Sequence, residues 1–270
     1  MISFPNAKIN LGLYVTNKRS DGFHNIETYF YPIPWKDILE IIPASETSFT
    51  HSGIEIPGNS ASNLCLKTVE LFQKRYSIPP VHIHLHKTIP IGAGLGGGSS
   101  DAAFTAKSLN SLFDLNLKTE ELENIIRPLG SDCAFFIQNT ATIALEKGDI
   151  FTEKNCVDMS EYWIYLINPA IHVSTKEAYA GVISQPNRKP ISTILKQDIY
   201  TWKNELMNDF ELSVFKAYPQ LMAIKNALYI HGATYAAMSG SGSTLFGVFK
   251  NNPQRINNLF ENASHFIAKL

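Results

Sequence analysis

The stretch Pro90–Ala103, PIGAGLGGGSSDAA, holds five glycines between Gly92 and Gly98 and runs straight into residues at helical spacing. Glycine loses more conformational freedom on folding than any other residue. Such density is expected where the chain takes unusual dihedrals or where something approaches the backbone closely. A glycine-rich turn that opens a helix aims several unpaired N–H groups at one point, and the helix dipole adds positive potential there. The chemistry this favours is anion binding, phosphate first. Lys8 and Asn10, in AKIN, alternate with Ala7 and Ile9, so an extended strand would put both polar groups on one face, as a binding site needs. Asp132, in LGSDCAFFI, stands where a short helix begins. An Asp there either caps the helix or, suitably aimed, accepts a proton. A lone lysine is most often a surface residue, and the neighbours of Lys8 argue against that.

Three readings of the glycine turn compete with a phosphate-transfer loop. A Walker loop needs G-x-x-x-x-G-K-[ST], and no Lys-Ser or Lys-Thr follows these glycines. Gly92, Gly94 and Gly97 fit G-x-G-x-x-G, but a dinucleotide unit also needs a second strand ending in an acidic residue about twenty positions on. Asp114 sits instead between two helical patterns. A turn without a ligand would use one or two glycines rather than five. A separate motif, His82-x-His84-x-His86, puts three imidazoles on one strand face. That is either a minor candidate for a metal or simply a half-exposed polar face, since metal-binding histidines need further ligands and oriented partners.

The elements that would position these groups follow from periodicity. AKINLGLYVT, IETYFYPI and DILEII read as strands, with RSDGFHN as a turn and with Pro32 and Pro34 bending or ending the ribbon. Residues 43–62 form a polar stretch. NLCLKTVELFQKRY reads as a helix, and VHIHLHKT alternates as a half-buried strand with Val81, Ile83 and Leu85 inward. Ala102, Ala106, Leu109 and Phe113 form an apolar stripe on the helix after the glycines. A second helix starts near Thr119 as N-cap, with Glu120 and Glu121 in its first turn, and ends near Pro128. TATIALEKGD reads as a strand and turn. The polar FTEKNCVDMS breaks the pattern at residues 150–158 and suggests a domain boundary. Beyond it lie the strand YWIYLINP, the segment STKEAYAGV, a polar connector at 185–191, helical segments near 203–229 and the strand STLFGVF. The alternation is that of an α+β protein in two domains, 1–155 and 156–270.

Composition narrows the partners. The chain has 270 residues, 44% of them hydrophobic, with 23 basic and 24 acidic residues for a formal charge of −1. Neither sign forms a long run, so nucleic acid is not an expected partner. No run of apolar residues reaches membrane-spanning length, and the N-terminus lacks the features of a secretory signal. Cys65, Cys133 and Cys156 are odd in number and widely spaced, as reduced thiols of a cytoplasmic protein would be.

Taken together, the motifs resemble those of the GHMP kinases. PIGAGLGGGSSDAA resembles their P-x3-G-L-x-S-S-A-A loop, and MSGSGSTLFGVF their third, glycine-rich motif. The two extra glycines narrow the resemblance to the branch whose acceptor carries a cytidine diphosphate group. NAKINLGLYVTNKRSDGFHNIET and LGSDCAFFI also resemble segments of that branch, so the likeness spans residues 6 to 249. Asn6 and Ala134 stand where many members have proline, and Phe23 where tyrosine is common. The resemblance implies an α+β fold in two domains, the first like the second domain of ribosomal protein S5 and the second ferredoxin-like. It implies ATP as co-substrate, bound by Pro90, Ile91, Gly92, Ala93, Gly94, Leu95, Gly96, Gly97, Gly98, Ser99 and Ser100. Lys8 and Asp132 become the catalytic pair, with Asp132 as base. Asn10, Phe23, His24, Thr175 and Tyr179 become acceptor-binding residues, with Phe23 stacking on the cytosine and His24 bonding its edge. Tyr179 would close the other side of the ring or pack in the core. Mg²⁺ is implied by phosphoryl transfer, though no ligand cluster for it stands out. A small-molecule acceptor and a monomer or weak homodimer are the expected partners. The alternatives are another small-alcohol kinase of the superfamily, or a nucleotide-binding sensor that has lost catalysis.

Overall fold

A computed structural model of the chain describes all residues except 59–61, 183, 186 and 257–261. The first half runs β1 (Ile2–Ser3), β2 (Asn6–Lys18), β3 (His24–Lys36), β4 (Ile38–Pro43), β5 (Ser48–Gly53), α1 (Leu64–Tyr76), β6 (Val81–Lys87), α2 (Gly97–Leu112), α3 (Thr119–Ile126) and α4 (Cys133–Gln138). The second runs β7 (Thr142–Glu146), β8 (Ile150–Lys154), β9 (Trp163–Asn168), α5 (Thr175–Ala180), α6 (Ile191–Leu195), α7 (Ile199–Glu205), α8 (Phe210–Ala217), α9 (Pro219–Ile230), β10 (Tyr235–Met238), β11 (Leu245–Phe249) and β12 (Ser264–Lys269). Among the described residues no helix is long and apolar enough to cross a membrane.

Two compact units emerge. The first comprises residues 1–7, 35–91 and 96–140. Its sheet has the order β1-β4-β6-β5, with β4 antiparallel and β5 parallel to β6. Alternation along β6 buries Val81, Ile83 and Leu85, and Leu39 and Ile41 of β4 are buried with them. Helix α2 packs against α1, α4 and β4. Asn63 caps α1 through its side chain, which accepts from the Cys65 N–H. Helix α3 begins at Thr119 with Lys118, not Thr119, as its cap residue. There Glu121 reaches back to the Lys118 N–H at 2.9 Å, so the acidic first turn supplies the cap.

The histidine face has an explanation that the sequence did not suggest. Within the polar stretch 43–62 lies β5, whose hydroxyls pair with the imidazoles of β6. Ser48 meets His82 at 2.8 Å, Thr50 meets His82 and His84 at 3.1 and 2.9 Å, and Ser52 meets His84 and His86 at 3.0 and 2.9 Å. The ring nitrogens bond hydroxyls, and no group of three or more His, Cys, Asp or Glu able to hold a metal occurs among the described residues.

The second unit comprises residues 8–34, 92–95 and 141–270, so the chain position 155/156 falls inside it. It has two sheets, β2-β3-β7-β8 and β10-β11-β9-β12. In the latter β9 is central, and Tyr165 and Ile167 join Leu245, Leu221, Ile224 and Leu228 in one core. Two local expectations need correction. β3 continues through Pro32 and Pro34; its pairing with β7 ends at Phe30, so neither proline owes that neighbour a bond. The polar segment after residue 150 opens with a strand, β8, which forms a hairpin with β7. β10 and β12 were not anticipated: YAAM and SHFIAK are short and weakly alternating.

Candidate active site

The glycine turn is shaped by contacts on both its halves. In the second unit, Gly94 has φ +77°, and a Cβ there would overlap the Ser239 carbonyl oxygen. Ser239 belongs to the Met-Ser-Gly-Ser-Gly-Ser segment, and its hydroxyl donates to the Gly94 carbonyl at 2.8 Å. The Lys8 N–H also donates to the Leu95 carbonyl at 2.9 Å, which ties the turn to β2. In the first unit, Gly97 opens α2. A Cβ there would stand 3.0 Å from the Lys87 ammonium and 3.1 Å from the Ile89 side chain. Gly98 is exposed, and its nearest neighbour would be Leu64 Cδ1 at 3.9 Å. The open space therefore lies at Gly98, beside the first N–H groups of a sixteen-residue helix. Pro90, Ala93, Leu95 and Ser100 are buried, whereas Ile91 and Gly92 are exposed and Gly96 and Ser99 half-buried.

Lys8 is no surface lysine. It is 3% exposed, and its ammonium donates to Asn10 Oδ1 at 2.7 Å and to the Gly94 carbonyl at 3.2 Å, 4.9 Å from the centre of the Phe30 ring. Asn10 in turn donates to the Thr28 hydroxyl at 2.9 Å, and Thr28 donates to the Gly12 carbonyl at 2.6 Å. The alternation in AKIN therefore brings Lys8 and Asn10 together against the glycine turn. A cation so placed can steady an anion in a poorly hydrated setting.

Asp132, in the first unit, is half-buried and immediately precedes α4, but its side chain makes no capping bond to that helix. The ordinary role of an Asp at this position is thus not the one it fills. Helix α4 is fixed at its far end, where Asn139 takes φ 54° and exchanges two amide bonds with Asn6, at 2.7 and 3.2 Å. The ammonium of Lys107 lies 3.3 and 3.5 Å from the last carbonyls, of Phe136 and Ile137. Burial lowers the pKa of Lys107 and raises that of the Cys133 thiol, the latter to about 11.

The Asp-Gly-Phe-His turn is held by groups the sequence reading passed over. Asp21 accepts from the Phe23 N–H at 3.1 Å and pairs with Arg19, which also reaches Asn25 and Glu146. Phe23 is 61% exposed, with the Lys147 ammonium 5.4 Å from its ring centre. His24 stacks on Tyr179, with ring centroids 4.7 Å apart and planes 18° apart, and Tyr179 meets Phe210 edge-on. Tyr179 thus packs on the second unit's core while keeping one face for His24. Thr175 is exposed at the start of α5, whose cap is Ser174.

One cluster was missed altogether. Lys87 bonds Asp37 at 2.5 Å and Asp101 at 2.6 Å, all three nearly without exposure. Asp37 also accepts from the N–H groups of Thr88 and Ile89 at 2.6 and 2.9 Å. The signal was present in β6, because Lys87 falls in phase with Val81, Ile83 and Leu85 and must therefore point inward. Burial raises the Asp101 carboxyl to about 7, with Lys87 pulling it down and Asp37 pushing it up.

This chain belongs to the GHMP kinases. Residues 63–140 match the family described as "GHMP kinases N terminal domain" and residues 191–266 "GHMP kinases C terminal". Among its relatives, a protein of Cytophaga hutchinsonii named 4-diphosphocytidyl-2-C-methyl-D-erythritol kinase is 63% identical over 270 residues, covering 100% of both chains. One of the same name from Bacteroides fragilis is 46% identical over 274 residues, again covering 100% of both. A crystal structure of 4-(cytidine 5'-diphospho)-2C-methyl-D-erythritol kinase superposes with a TM-score of 0.79 at 30% identity, covering 92% of this chain and 89% of that one. The mevalonate kinase of Methanococcus jannaschii shares the fold, with a TM-score of 0.69 at 14% identity over 99% and 97% of the two chains.

Proposed function

We propose that this protein transfers the γ-phosphoryl group of ATP to the 2-hydroxyl of 4-diphosphocytidyl-2-C-methyl-D-erythritol, giving the 2-phosphate and ADP in the methylerythritol phosphate route to isoprenoid precursors. The structural observation that carries the reading is the buried Lys8 ammonium laid on the carbonyl of Gly94 in the glycine turn. The names of the full-length relatives supply the acceptor.

Phosphoryl transfer through a loose transition state asks a protein mainly for positioning and charge stabilisation. The turn and the start of α2 would cradle the phosphates, with the open space at Gly98 receiving them. Asp132 would accept the hydroxyl proton, and Lys8, oriented by Asn10, would steady the negative charge on the attacking oxygen. Phe23, His24, Thr175 and Tyr179 would receive the cytidine end, an aromatic face and a ring nitrogen being what an isolated base needs. Mg²⁺ would neutralise charge on the transferring group. Among the described residues no group of three or more His, Cys, Asp or Glu could hold a metal, and Asp101 is engaged by Lys87.

ADP release measured in parallel with this acceptor, homoserine and mevalonate tests the reading. Turnover on the cytidine compound alone is expected, and turnover on either rival without it would overturn the proposal. Asp132→Asn should lower kcat by about 10²-fold or more while MgATP still binds; near-normal turnover would remove Asp132 as the base.

A further inference from the structure

We propose that Lys87, Asp37 and Asp101 are positioning residues for the phosphate-binding end of α2, and that Asp101 carries a proton, donated to Asp37, when that end holds an anion. This rests on the reading that the glycine turn takes ATP.

The donors are unevenly shared. Asp37 accepts three N–H bonds, from Lys87, Thr88 and Ile89, whereas Asp101 receives one, from Lys87. The other Asp101 oxygen, Oδ1, is buried and faces no donor. One ammonium, that of Lys87, bonds both carboxylates, at 2.5 and 2.6 Å, and so holds Asp37 and Asp101 beside each other. Two buried carboxylates that share a single ammonium cannot both keep a full charge cheaply, and the one with fewer donors takes the proton. A proton on Asp101 would turn its unsatisfied acceptor into a donor that Asp37 can receive. The other titratable group beside the cluster, the Cys65 thiol on α1, is pushed up to about 12 by burial and stays neutral.

The cluster's place gives that proton a consequence. The Lys87 ammonium lies under Gly97, the first residue of α2, and Asp101 stands one helical turn further on. With both carboxylates ionised the cluster carries a net charge of about −1; with Asp101 protonated it is neutral. Phosphates arriving at Gly98 and Ser99 make a buried negative charge one turn away more costly, so they hold the proton on. Nucleotide binding and proton uptake are then linked, each favouring the other.

Asp101→Asn mimics the protonated state, with its amide donating to Asp37 and its carbonyl accepting from Lys87. Calorimetric titration of MgATP in two buffers of different ionisation enthalpy should show wild-type protein taking up a fraction of a proton at pH 7.5 to 8, and D101N almost none. Between pH 6.5 and 8.5 the wild-type affinity should fall roughly three- to tenfold, while that of D101N stays level, the size of effect one nearby charge exerts after screening. Equal proton uptake and parallel affinity profiles would overturn the inference. Failure of wild-type protein to bind MgATP would instead overturn the kinase reading itself. An infrared difference spectrum of wild-type protein at pH 8 supplies a readout that needs no variant. Adding MgATP should produce a protonated-carboxyl band, and its absence would count against the proposal.

Discussion

Gly94 and Gly98 belong to one turn and face opposite constraints. At Gly94 a side chain meets backbone, the Ser239 carbonyl, at a positive φ; at Gly98 it meets only empty space and the end of Leu64. Gly94→Ala should therefore destabilise the protein by about 2–4 kcal/mol, because neither the carbonyl nor the dihedral can give way easily. Gly98→Ala should leave stability unchanged or raise it by up to about 1 kcal/mol, as alanine does in a helix, yet weaken MgATP binding by filling the space the phosphates need. Thermal midpoints and nucleotide titrations of the two variants separate these outcomes, and equal losses of stability would contradict them. The glycine density in the sequence announced the turn but could not divide its labour, since the partner of Gly94, Ser239, lies far away in the chain and that of Gly97, Lys87, is turned toward it only by the fold. Lys8 and Asn10 were legible because strand alternation is local. Lys87 was half legible: its phase in β6 gave its direction, but Asp37 and Asp101 are joined to it only by folding.

At the scale of elements, α4 shows how a short helix is held so that the residue before it is aimed. Six residues make too few internal hydrogen bonds to hold themselves, so the helix depends on its surroundings. The ammonium of Lys107 meets its last carbonyls and lies 4.1 Å from the Phe104 ring centre, and the Asn6–Asn139 pair closes the exit. Lys107→Met keeps the apolar stem and removes the charge. It should cost about 1 kcal/mol and lower kcat severalfold with little change in the KM for ATP, because the residue displaced is Asp132 and not the turn. An unchanged kcat would show that Asp132 does not depend on this anchor. Elements whose burial follows a simple period, such as β6, were readable from sequence, as were α2 by its apolar stripe and β9 by its unbroken apolar run. β5 was not, because in SFTHSG the residues that hold it are hydroxyls whose partners, the histidines, lie on β6 more than thirty positions on. The prolines of β3 misled for a related reason: a missing N–H ends a strand only where a neighbour needs that bond.

For the molecule as a whole, a buried charged cluster of this kind trades some stability for placement. The sign of the trade follows from the Asp101 carboxyl, which sits near 3.9 in the unfolded chain and is raised to about 7 in the folded one. Between those values the folded protein binds more protons than the unfolded chain, so this group's contribution to stability falls as pH rises through the window and levels off above it. Asp101→Asn removes that dependence and leaves every other titrating group in place. The stability of D101N relative to wild type should therefore grow steadily from pH 4 to pH 7 and change little beyond. Urea midpoints at pH 5, 6, 7 and 8, with the slope m checked for constancy, measure it directly. The gain should also appear as slower amide exchange in β6 and α2, which flank the cluster, before it appears in β9 and β11 of the other unit. Parallel stability profiles for the two proteins would mean that Asp101 is ionised throughout. The cluster would then stand under the phosphate turn as a fixed negative charge.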